Sequence, residues 1–440
     1  MRKLAVAPAT ALVSLLLTVS AWAQDITNLG GDLTSDLPID TALELPAPNI
    51  SSEELFQLHL AGHTDFHGSF LFTKLNGKRV LGPHFNHNSC GACHVKDGRG
   101  PIRISSRPPG SSVLVKVSLR GLNPDGSPRD VPRVGEQLQN HSIDGSTRYD
   151  IRLRWRTVRG VYPDGTKYTL RRPQLSFKIP GIRSTKVVHS IRMSPPTIGM
   201  GLLEAVPAAT IVAMSDPDDL DGDGISGRVS YVPNLETGQI EVGRFGWRAT
   251  QPTLKQQAAA AFFHDMGLTN ELFLPEGKAQ EIPDEQLARV VFYSQAAGVT
   301  PARDQDHPDV VAGKALFQQI NCDSCHVMTL QTGDSEVVEV ANQEFHPFTD
   351  LLLHDMGPDL ADERPEFSAT QREWRTPPLW GLGLHPFLSS KRPGYLHDGR
   401  ARTIEEAILW HGGEALSSRE SFKDLSAAER FQLIRFLQSL

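Results

Sequence analysis

The segment VVAGKALFQQINCDSCH, residues 310–326, places a helix-like run directly before the motif C-D-S-C-H. The motif C-G-A-C-H at residues 90–94 has the same spacing, and the two copies contain all four cysteines of the chain. C-x-x-C-H is the attachment motif of haem c, in which two thiols bond to one edge of the porphyrin and the next imidazole binds iron. The sequence therefore predicts two covalently bound haems c. The predicted attachment residues are Cys90, Cys93, Cys322 and Cys325, with His94 and His326 as iron ligands.

Two other roles of paired cysteines fit this sequence less well. A structural zinc site needs four clustered ligands, whereas each motif supplies at most three and the motifs lie far apart in the chain. A redox-active disulfide would need a thioredoxin-like context, and it would not explain why a histidine follows both second cysteines. Haem attachment uses every thiol, so no cysteine is left for thiol chemistry by the protein itself.

The N-terminus, MRKLAVAPATALVSLLLTVSAWAQ, is typical of a secretory signal peptide covering residues 1–23. No later segment is apolar over the roughly 20 residues needed to span a bilayer. The mature chain does not start with a cysteine that could carry a lipid. We therefore expect an exported, soluble, periplasmic protein without a membrane span. The net charge of −7 argues against nucleic acid as a partner.

The length of 440 residues exceeds what one hydrophobic core usually serves. We expect an extended leader at 24–56, an N-terminal haem c domain at 57–300 and a C-terminal haem c domain at 308–440. Residues 111–180 contain short alternating runs separated by Pro-Asp-Gly turns, which predicts a β-rich insertion in the N-terminal domain.

Charged and polar residues cluster in two places. The β-rich insertion is locally basic, and a solvated strand face is a better interpretation than a docking surface for a partner or an anion. Its arginines include Arg148, Arg152, Arg154, Arg156, Arg159, Arg171 and Arg172. A group of histidines precedes the first motif, and we expect most of them at the surface or against haem propionates. They are His59, His63, His67, His84 and His87.

The loop at 216–230 matches the first half of an EF-hand-type calcium loop. Asp219, Asp221 and Asp223 occupy positions 1, 3 and 5, and Gly224 occupies position 6. Hard oxygen ligands at alternate positions of a tight loop converge on an ion of the size of Ca²⁺. The twelfth position is Ser230 instead of a bidentate glutamate. Calcium binding is the preferred hypothesis, and an Asp/Gly turn without metal is the alternative.

Several longer motifs resemble the exported di-haem oxidoreductase family, whose members are often labelled peroxidases or thiol oxidoreductases, within the bacterial di-haem cytochrome c peroxidase superfamily. The motifs are PPTIGMGLLEAVP (195–207), DPDDLDGDGISGR (216–228), GRFGWRA (243–249), FTDLLLHDMG (348–357), EWRTPPLWGLG (373–383) and GYLHDGRARTIEEAILWH (394–411). The resemblance implies a mainly α fold, with two cytochrome c-like haem domains and the β-rich insertion in the N-terminal domain. It implies a reactive N-terminal haem with an acidic residue on its open face. It also implies a six-coordinate C-terminal haem that passes electrons, and a calcium site between the two haem domains.

Two carboxylates are candidates for the acidic residue. Splitting a peroxide O–O bond needs an open iron site and a group that moves a proton between the oxygens. Asp265 in FFHDMG is preferred over Glu204 in GLLEAVP, because a related Trp-Arg-Ala, Leu, Gln-Ala pattern precedes the catalytic glutamate of the peroxidases. The alternative is that Asp265 is an ordinary helix-end aspartate. His189 or Met200 could instead close the first iron site, which would make that iron a poor catalyst.

The segment TIEEAILWHGG, residues 403–413, predicts a short helix that ends at a histidine. Thr403 and Glu406 form a capping-box pattern, and two glycines follow His411. In the superfamily the residue at this place, counted from the Tyr-x-His-Asp-Gly motif, ligates the C-terminal haem. The resemblance therefore implies His326 and His411 as the axial pair of the second haem, with Met356 as the fallback sixth ligand. The alternative is a buried helix-end histidine.

The resemblance implies a di-haem oxidoreductase of peroxidase type. Two other functions are open at this point: an electron-transfer protein in which both irons are six-coordinate, and a sensor or metal-handling accessory that uses the haems only for redox poise. The expected partners are a periplasmic electron donor or acceptor and a small-molecule oxidant or reductant. The chain is expected to be a monomer or a homodimer.

Overall fold

The computed structural model describes residues 25–37, 43–70, 81–104, 110–144, 148–388 and 394–440. The predicted signal peptide lies outside the described residues. Within them, every helix is too short or too polar to cross a membrane.

The helices are α1 (Glu53–His67), α2 (Cys90–Cys93), α3 (Met200–Ala205), α4 (Ala208–Ala213), α5 (Leu254–Met266), α6 (Asp284–Gln295), α7 (Pro308–Gln319), α8 (Gly357–Leu360), α9 (His385–Leu388), α10 (Ile404–Trp410), α11 (Leu416–Asp424) and α12 (Ala427–Ser439). The strands are β1 (His84–Phe85), β2 (Val113–Leu122), β3 (Pro128–Arg129), β4 (His141–Ser142), β5 (Arg152–Val161), β6 (Lys167–Ser176), β7 (Val187–Met193), β8 (Tyr231–Pro233), β9 (Ile240–Val242), β10 (Leu330–Gln331), β11 (Glu344–Phe345), β12 (Leu353–Asp355) and β13 (Glu373–Arg375). In the described part of the chain they form six small antiparallel sheets.

The expectation of a mainly α fold is wrong. Of the described residues, 32% are helical and 19% are in strands, and their architecture does not show two cytochrome c domains. The 37 glycines and 31 prolines divide the chain into short runs, and α1 reaches only 15 residues. Short runs leave many backbone groups outside helices, and a good part of these groups pair in two-residue and three-residue strands instead.

The longer helices follow their sequence signals closely. Helix α5 has a sequence signal at each end: the Thr253 side chain accepts from the Gln256 amide, and Gly267 ends the helix in the left-handed region at φ 70°. Helix α6 follows Pro283 and carries Asp284 and Glu285 in its first turn. Helix α12 begins with a complete capping box between Ser426 and Glu429.

Strands β2 to β6 lie within residues 111–180. Strand β2, however, pairs over its greatest length with β7, which lies beyond this range. The two strands are antiparallel, from Val113 opposite Met193 to Leu119 opposite Val187. The β5–β6 hairpin packs against the C-terminal part of the chain. Arg171 donates to the carbonyls of Gly399 and Arg400, so this basic strand is not only a solvated face.

One large hydrophobic core joins distant parts of the chain. It includes Ile26 and Leu29 from the leader, Leu202 from α3 and Phe436 from α12. The backbone amide of His346 donates to the carbonyl of Leu29. The described part of the leader is therefore anchored on the C-terminal region, and the same packing brings the two C-x-x-C-H motifs to a common cavity.

Candidate haem site

The first motif is a single helical turn that fixes its histidine. The Ser89 side chain caps α2 by accepting from the Ala92 amide, and the His94 amide donates to the Cys90 carbonyl. The Nδ1 atom of His94 lies 2.7 Å from the carbonyl oxygen of Pro195. Since a carbonyl can only accept, Nδ1 carries the proton and Nε2 keeps a lone pair.

The second motif holds its histidine in the same way. Helix α7 leads into the motif, and the His326 amide donates to the Cys322 carbonyl. Nδ1 of His326 donates to the carbonyl of Phe348 at 2.9 Å. Burial lowers the pKa of His326 to about 4, and His411 acts in the same direction. His326 and His411 are therefore within electrostatic reach of each other.

His411 directly follows α10 and is its C-cap. Its amide donates to the Ile408 carbonyl, and its Nδ1 donates to the Ala407 carbonyl at 2.8 Å. The capping box is only half formed: the Thr403 side chain accepts from the Glu406 amide, but the Glu406 carboxylate binds the amide and side chain of Arg402. The helix still ends where the sequence predicts, and His411 presents its ring to the cavity.

One cavity of about 690 Å³ is lined by both motifs and by His411. This volume falls within the range of about 300–1,000 Å³ that is usual for small-molecule sites. All four cysteines line the cavity, and none forms a disulfide. Burial raises the pKa of Cys90 and of Cys322 to about 12, and it raises the pKa of Cys93 and Cys325 as well. Such thiols stay protonated, unlike the reactive thiolates of redox enzymes.

The cavity walls fit haem in two respects. Among the imidazoles that line the cavity, those of His94, His326 and His411 each donate Nδ1–H to a backbone carbonyl. In the described part of the chain, Nε2 of each of these three has no hydrogen-bond partner. Arg99 and Arg375 are buried, line the cavity and have no carboxylate within ion-pair distance among the described residues. A buried cation is costly without an anionic partner, so both positions suit the propionates of a porphyrin.

Asp265 lines the cavity near the first motif. Its charge contributes to the raised pKa of Cys90 and Cys93, which places the carboxylate within electrostatic reach of both thiols. Burial raises the pKa of Asp265, whereas Lys116 and a hydrogen bond from Gln137 act against that shift. Gln137 Nε2 lies 2.6 Å from Asp265 Oδ1. The hydrogen bond from Gln137 thus holds the Asp265 carboxyl group in one orientation, and burial favours its protonated form.

Glu204 lies away from the cavity and is held by neighbouring helices. Its Oε1 atom accepts from the Leu254 amide at 2.7 Å, and its Oε2 atom accepts from Gln295 at 2.6 Å. Burial raises the pKa of Glu204 as well. Both oxygens are therefore engaged in joining α3 to the start of α5 and to α6.

The alternative iron ligands His189, Met200 and Met356 differ in whether they line the cavity. His189 pairs with Glu363 at 3.5 Å and does not line the cavity. Met200 at the start of α3 does line the cavity, and so does Met356. The structure thus leaves Met200 as the member of the first pair that faces the cavity, and it brings Met356 and His411 to the same cavity.

A buried ionic cluster beside the second motif was not foreseen from the sequence. His354 lies between two carboxylates, with Nε2 2.8 Å from Asp350 and Nδ1 2.7 Å from Glu414. Burial alone would lower the pKa of His354, but the carboxylates and the Cys325 thiol raise it well above its ordinary value. Glu414 also accepts from the Ser226 amide, so the cluster joins the Asp-rich loop to the second motif.

The Asp-rich loop gathers its three carboxylates. Ligand atoms of Asp219, Asp221 and Asp223 lie within 4.8 Å of one another. Each of them also accepts a backbone amide of its own loop. Ser230 is buried, and its hydroxyl lies 3.5 Å from the Arg248 carbonyl, away from the aspartates.

Gln137 and Lys116 act on Asp265, and the sequence pattern gives no reason to select either. Both come from the β-rich region, and they reach Asp265 only because β2 and the segment after β3 fold over the first motif. An isolated glutamine or lysine in an alternating strand is normally interpreted as a solvated residue. The lysine within the apolar run VLVKV of β2 was an available signal.

A family model described as "di-haem oxidoreductase, putative peroxidase" matches residues 25–108, 128–289 and 277–440. The chain therefore belongs to this di-haem oxidoreductase family, and the resemblance in the sequence motifs is confirmed. Membership implies haem as cofactor and oxidoreductase chemistry.

No curated protein matches the chain. Among solved structures, a hydrazine synthase chain from Kuenenia stuttgartiensis is similar at 19% identity and a TM-score of 0.24. The match covers 36% of this chain and 56% of that chain. A likeness at this score carries no argument about fold or function.

Proposed function

We propose that this protein is an exported di-haem c-type oxidoreductase of peroxidase type. In this proposal the first haem is the reactive one and the second haem passes electrons. The observation that carries the proposal is the half-buried carboxylate of Asp265, which shares the cavity with the first motif and has a raised pKa. Proton transfer by such a group is what O–O cleavage requires.

The chain supplies two kinds of group at the first site. The thiols of Cys90 and Cys93 would form the thioethers, and Nε2 of His94 would bind iron. When bound, the haem supplies the redox chemistry that takes hydrogen peroxide, two electrons and two protons to two waters. Asp265 would accept a proton from one peroxide oxygen and return it to the other, which then leaves as water. Gln137 would hold the carboxylate in the orientation for this transfer.

At the second site the chain would supply two iron ligands. Cys322 and Cys325 would form the thioethers, and Nε2 of His326 and of His411 would bind the iron. The electrostatic proximity of His326 and His411 supports this pairing. Two imidazoles favour a lower potential than the His/Met pair of cytochromes c. For that reason the proposal leaves the physiological oxidant open.

Three further parts of the proposal rest on sequence patterns. The signal-like N-terminus supports export to the periplasm, where an electron donor or acceptor would be met. The gathered carboxylates of Asp219, Asp221 and Asp223 support a Ca²⁺ site. The covalent nature of haem binding follows from the C-x-x-C-H spacing.

The Asp265→Asn variant tests the proposed reaction. Turnover with hydrogen peroxide should fall by about 10²–10⁴-fold, the usual contribution of a positioned acid–base group, while both haems stay attached. Glu204→Gln is the matched control, because Glu204 has a raised pKa too but lies outside the cavity. It should keep its turnover per haem. Unchanged turnover in Asp265→Asn would remove this residue from the mechanism.

A further inference from the structure

Helix α1 carries three histidines at four-residue spacing: His59, His63 and His67. Residues four apart lie on one face of a helix, so the three rings form a column. The described leader passes beside this column, and the carbonyl of Glu44 lies 3.2 Å from His59 Nε2. This contact fixes the leader at Glu44 beside the three histidines.

Ligand-type atoms of three residues converge at this point. Those of Glu44, His63 and His67 lie within 4.8 Å of one another, and Glu44 Oε1 is 4.0 Å from His67 Nδ1. The ring centroids of His63 and His67 are 4.5 Å apart. All three side chains are half-buried, so an ion from solution could reach them.

The ring of His67 is oriented through its other nitrogen. The Tyr293 hydroxyl donates to the buried carboxylate of Asp97. The Tyr293 oxygen is then an acceptor for the Nε2–H group of His67, 3.1 Å away. This hydrogen bond leaves Nδ1 of His67 facing the Glu44 carboxylate. A metal ion between these two atoms would bind both.

The same contacts reproduce the surroundings of a metal-bound histidine. Ligating histidines nearly always donate their second N–H to a carboxylate or a similar group, which fixes the ring and its tautomer. The chain from His67 through Tyr293 to Asp97 has this form. The backbone of Gly91 lies against this ring, since a Cβ atom at position 91 would come within 2.2 Å of Nδ1.

We propose that Glu44, His63 and His67 bind one divalent transition-metal ion of the zinc class. Two imidazole nitrogens and one carboxylate oxygen are the ligand set of many zinc sites with a free position for water. Zn–N and Zn–O bonds of about 2.0–2.2 Å require the ligand atoms to close up slightly from their present separations. The ion would thereby clamp the leader to α1, next to the first C-x-x-C-H motif. The site is independent of the haem roles proposed above.

Calorimetric titration of the holoprotein with ZnCl₂, in buffer containing excess Ca²⁺ to saturate the Asp-rich loop, tests this site. We expect one equivalent of zinc to bind. Binding should weaken about 100-fold or more in His63→Gln and in Glu44→Gln, two substitutions at half-buried positions. Asp97→Asn should weaken it by about 10–100-fold, the usual effect of an outer partner.

The matched control is His307→Asn, because His307 lies 3.8 Å from the carboxylate of Asp309 but has no second histidine in the described surroundings. Its zinc affinity should equal that of the wild type. X-ray absorption at the zinc edge should show nitrogen and oxygen neighbours that include two imidazoles. The proposal is overturned if the wild type binds no zinc, if binding survives both ligand substitutions, or if zinc is bound through sulfur.

Discussion

The two C-x-x-C-H motifs are built alike, but the cavity walls beside them differ. In both motifs the histidine donates Nδ1–H to a carbonyl, from His94 to Pro195 and from His326 to Phe348. Beside the second motif stands another imidazole of the same type, that of His411. Beside the first motif stands the carboxylate of Asp265. A carboxylate thus accompanies the first motif, and a further imidazole accompanies the second motif.

This difference shows that the repeated motif does not decide the role of each site. In the proposed function the motif supplies the attachment residues and one iron ligand, whereas the opposite wall comes from segments remote in the chain. Gln137 of the β-rich region holds Asp265, and α10 near the C-terminus holds His411. The division of labour therefore depends on long-range packing, and it can be altered one wall at a time.

The largest expected effect concerns the ionic cluster at the second motif. Glu414→Gln should lower the free energy of unfolding by roughly 3–5 kcal/mol, since it leaves protonated His354 buried with one carboxylate. The folded-state pKa of His354 is raised, so its stabilisation is present below about pH 6.5 and is lost as pH rises through the folded value. Glu414 has a lowered pKa, so the contribution of its carboxylate is lost in acid.

Denaturant unfolding of both proteins at pH 6 and pH 9 would measure this effect. The difference between them should be wider at the lower pH. Glu420→Gln is the control: Glu420 pairs with Lys423 on the surface, and such pairs contribute only about 0–1 kcal/mol. Equal losses in the two variants would contradict the buried cluster as a stabilising feature of the second site.

A change of intermediate size is expected for His411→Met. A His/Met pair raises the potential of haem iron relative to two imidazoles, so one midpoint potential should rise by on the order of 100 mV while the other stays constant. About 59 mV corresponds to a tenfold change for one electron. Met356→Leu is the control, because Met356 lines the same cavity. Potentiometric titration that responds to Met356 and not to His411 would reverse the assignment.

The smallest expected effect concerns the orientation of Asp265. Gln137→Leu removes a hydrogen bond that lowers the pKa of Asp265, so this pKa should rise further. Turnover needs the ionised carboxylate, so its acidic limb should move to higher pH. Gln139→Leu is the control, since Gln139 contacts the His264 carbonyl instead. A pH profile of turnover that shifts equally in both variants would deny Gln137 this role.

Local signals predicted a good part of this structure. The cap residue Thr253 and Gly267 place both ends of α5, and the segment at 403–413 places His411 at the end of α10. The spacing of the cysteines predicts a common chemistry for the two motifs, and the motifs predict the family that the family model shows.

The remainder depends on pairings that no local pattern specifies. The mainly α expectation followed from the resemblance, whereas frequent Gly and Pro break the chain into short runs that pair as small sheets. The contact of Gln137 with Asp265 spans 128 residues, and that of Glu414 with His354 spans 60. The histidines of α1 were expected at the surface or at propionates, but His59 is fully buried beside the leader.

The most direct test of the account is the electron paramagnetic resonance spectrum of the fully oxidised protein. If the iron beside Asp265 keeps a free coordination position and His411 ligates the other iron, the spectrum will contain one high-spin and one low-spin ferric signal of equal weight. Loss of the low-spin signal's two-imidazole character in His411→Met would link that signal to the second motif. Two low-spin signals in the wild type would mean that both irons are closed, and they would contradict the assignment of a reactive first site.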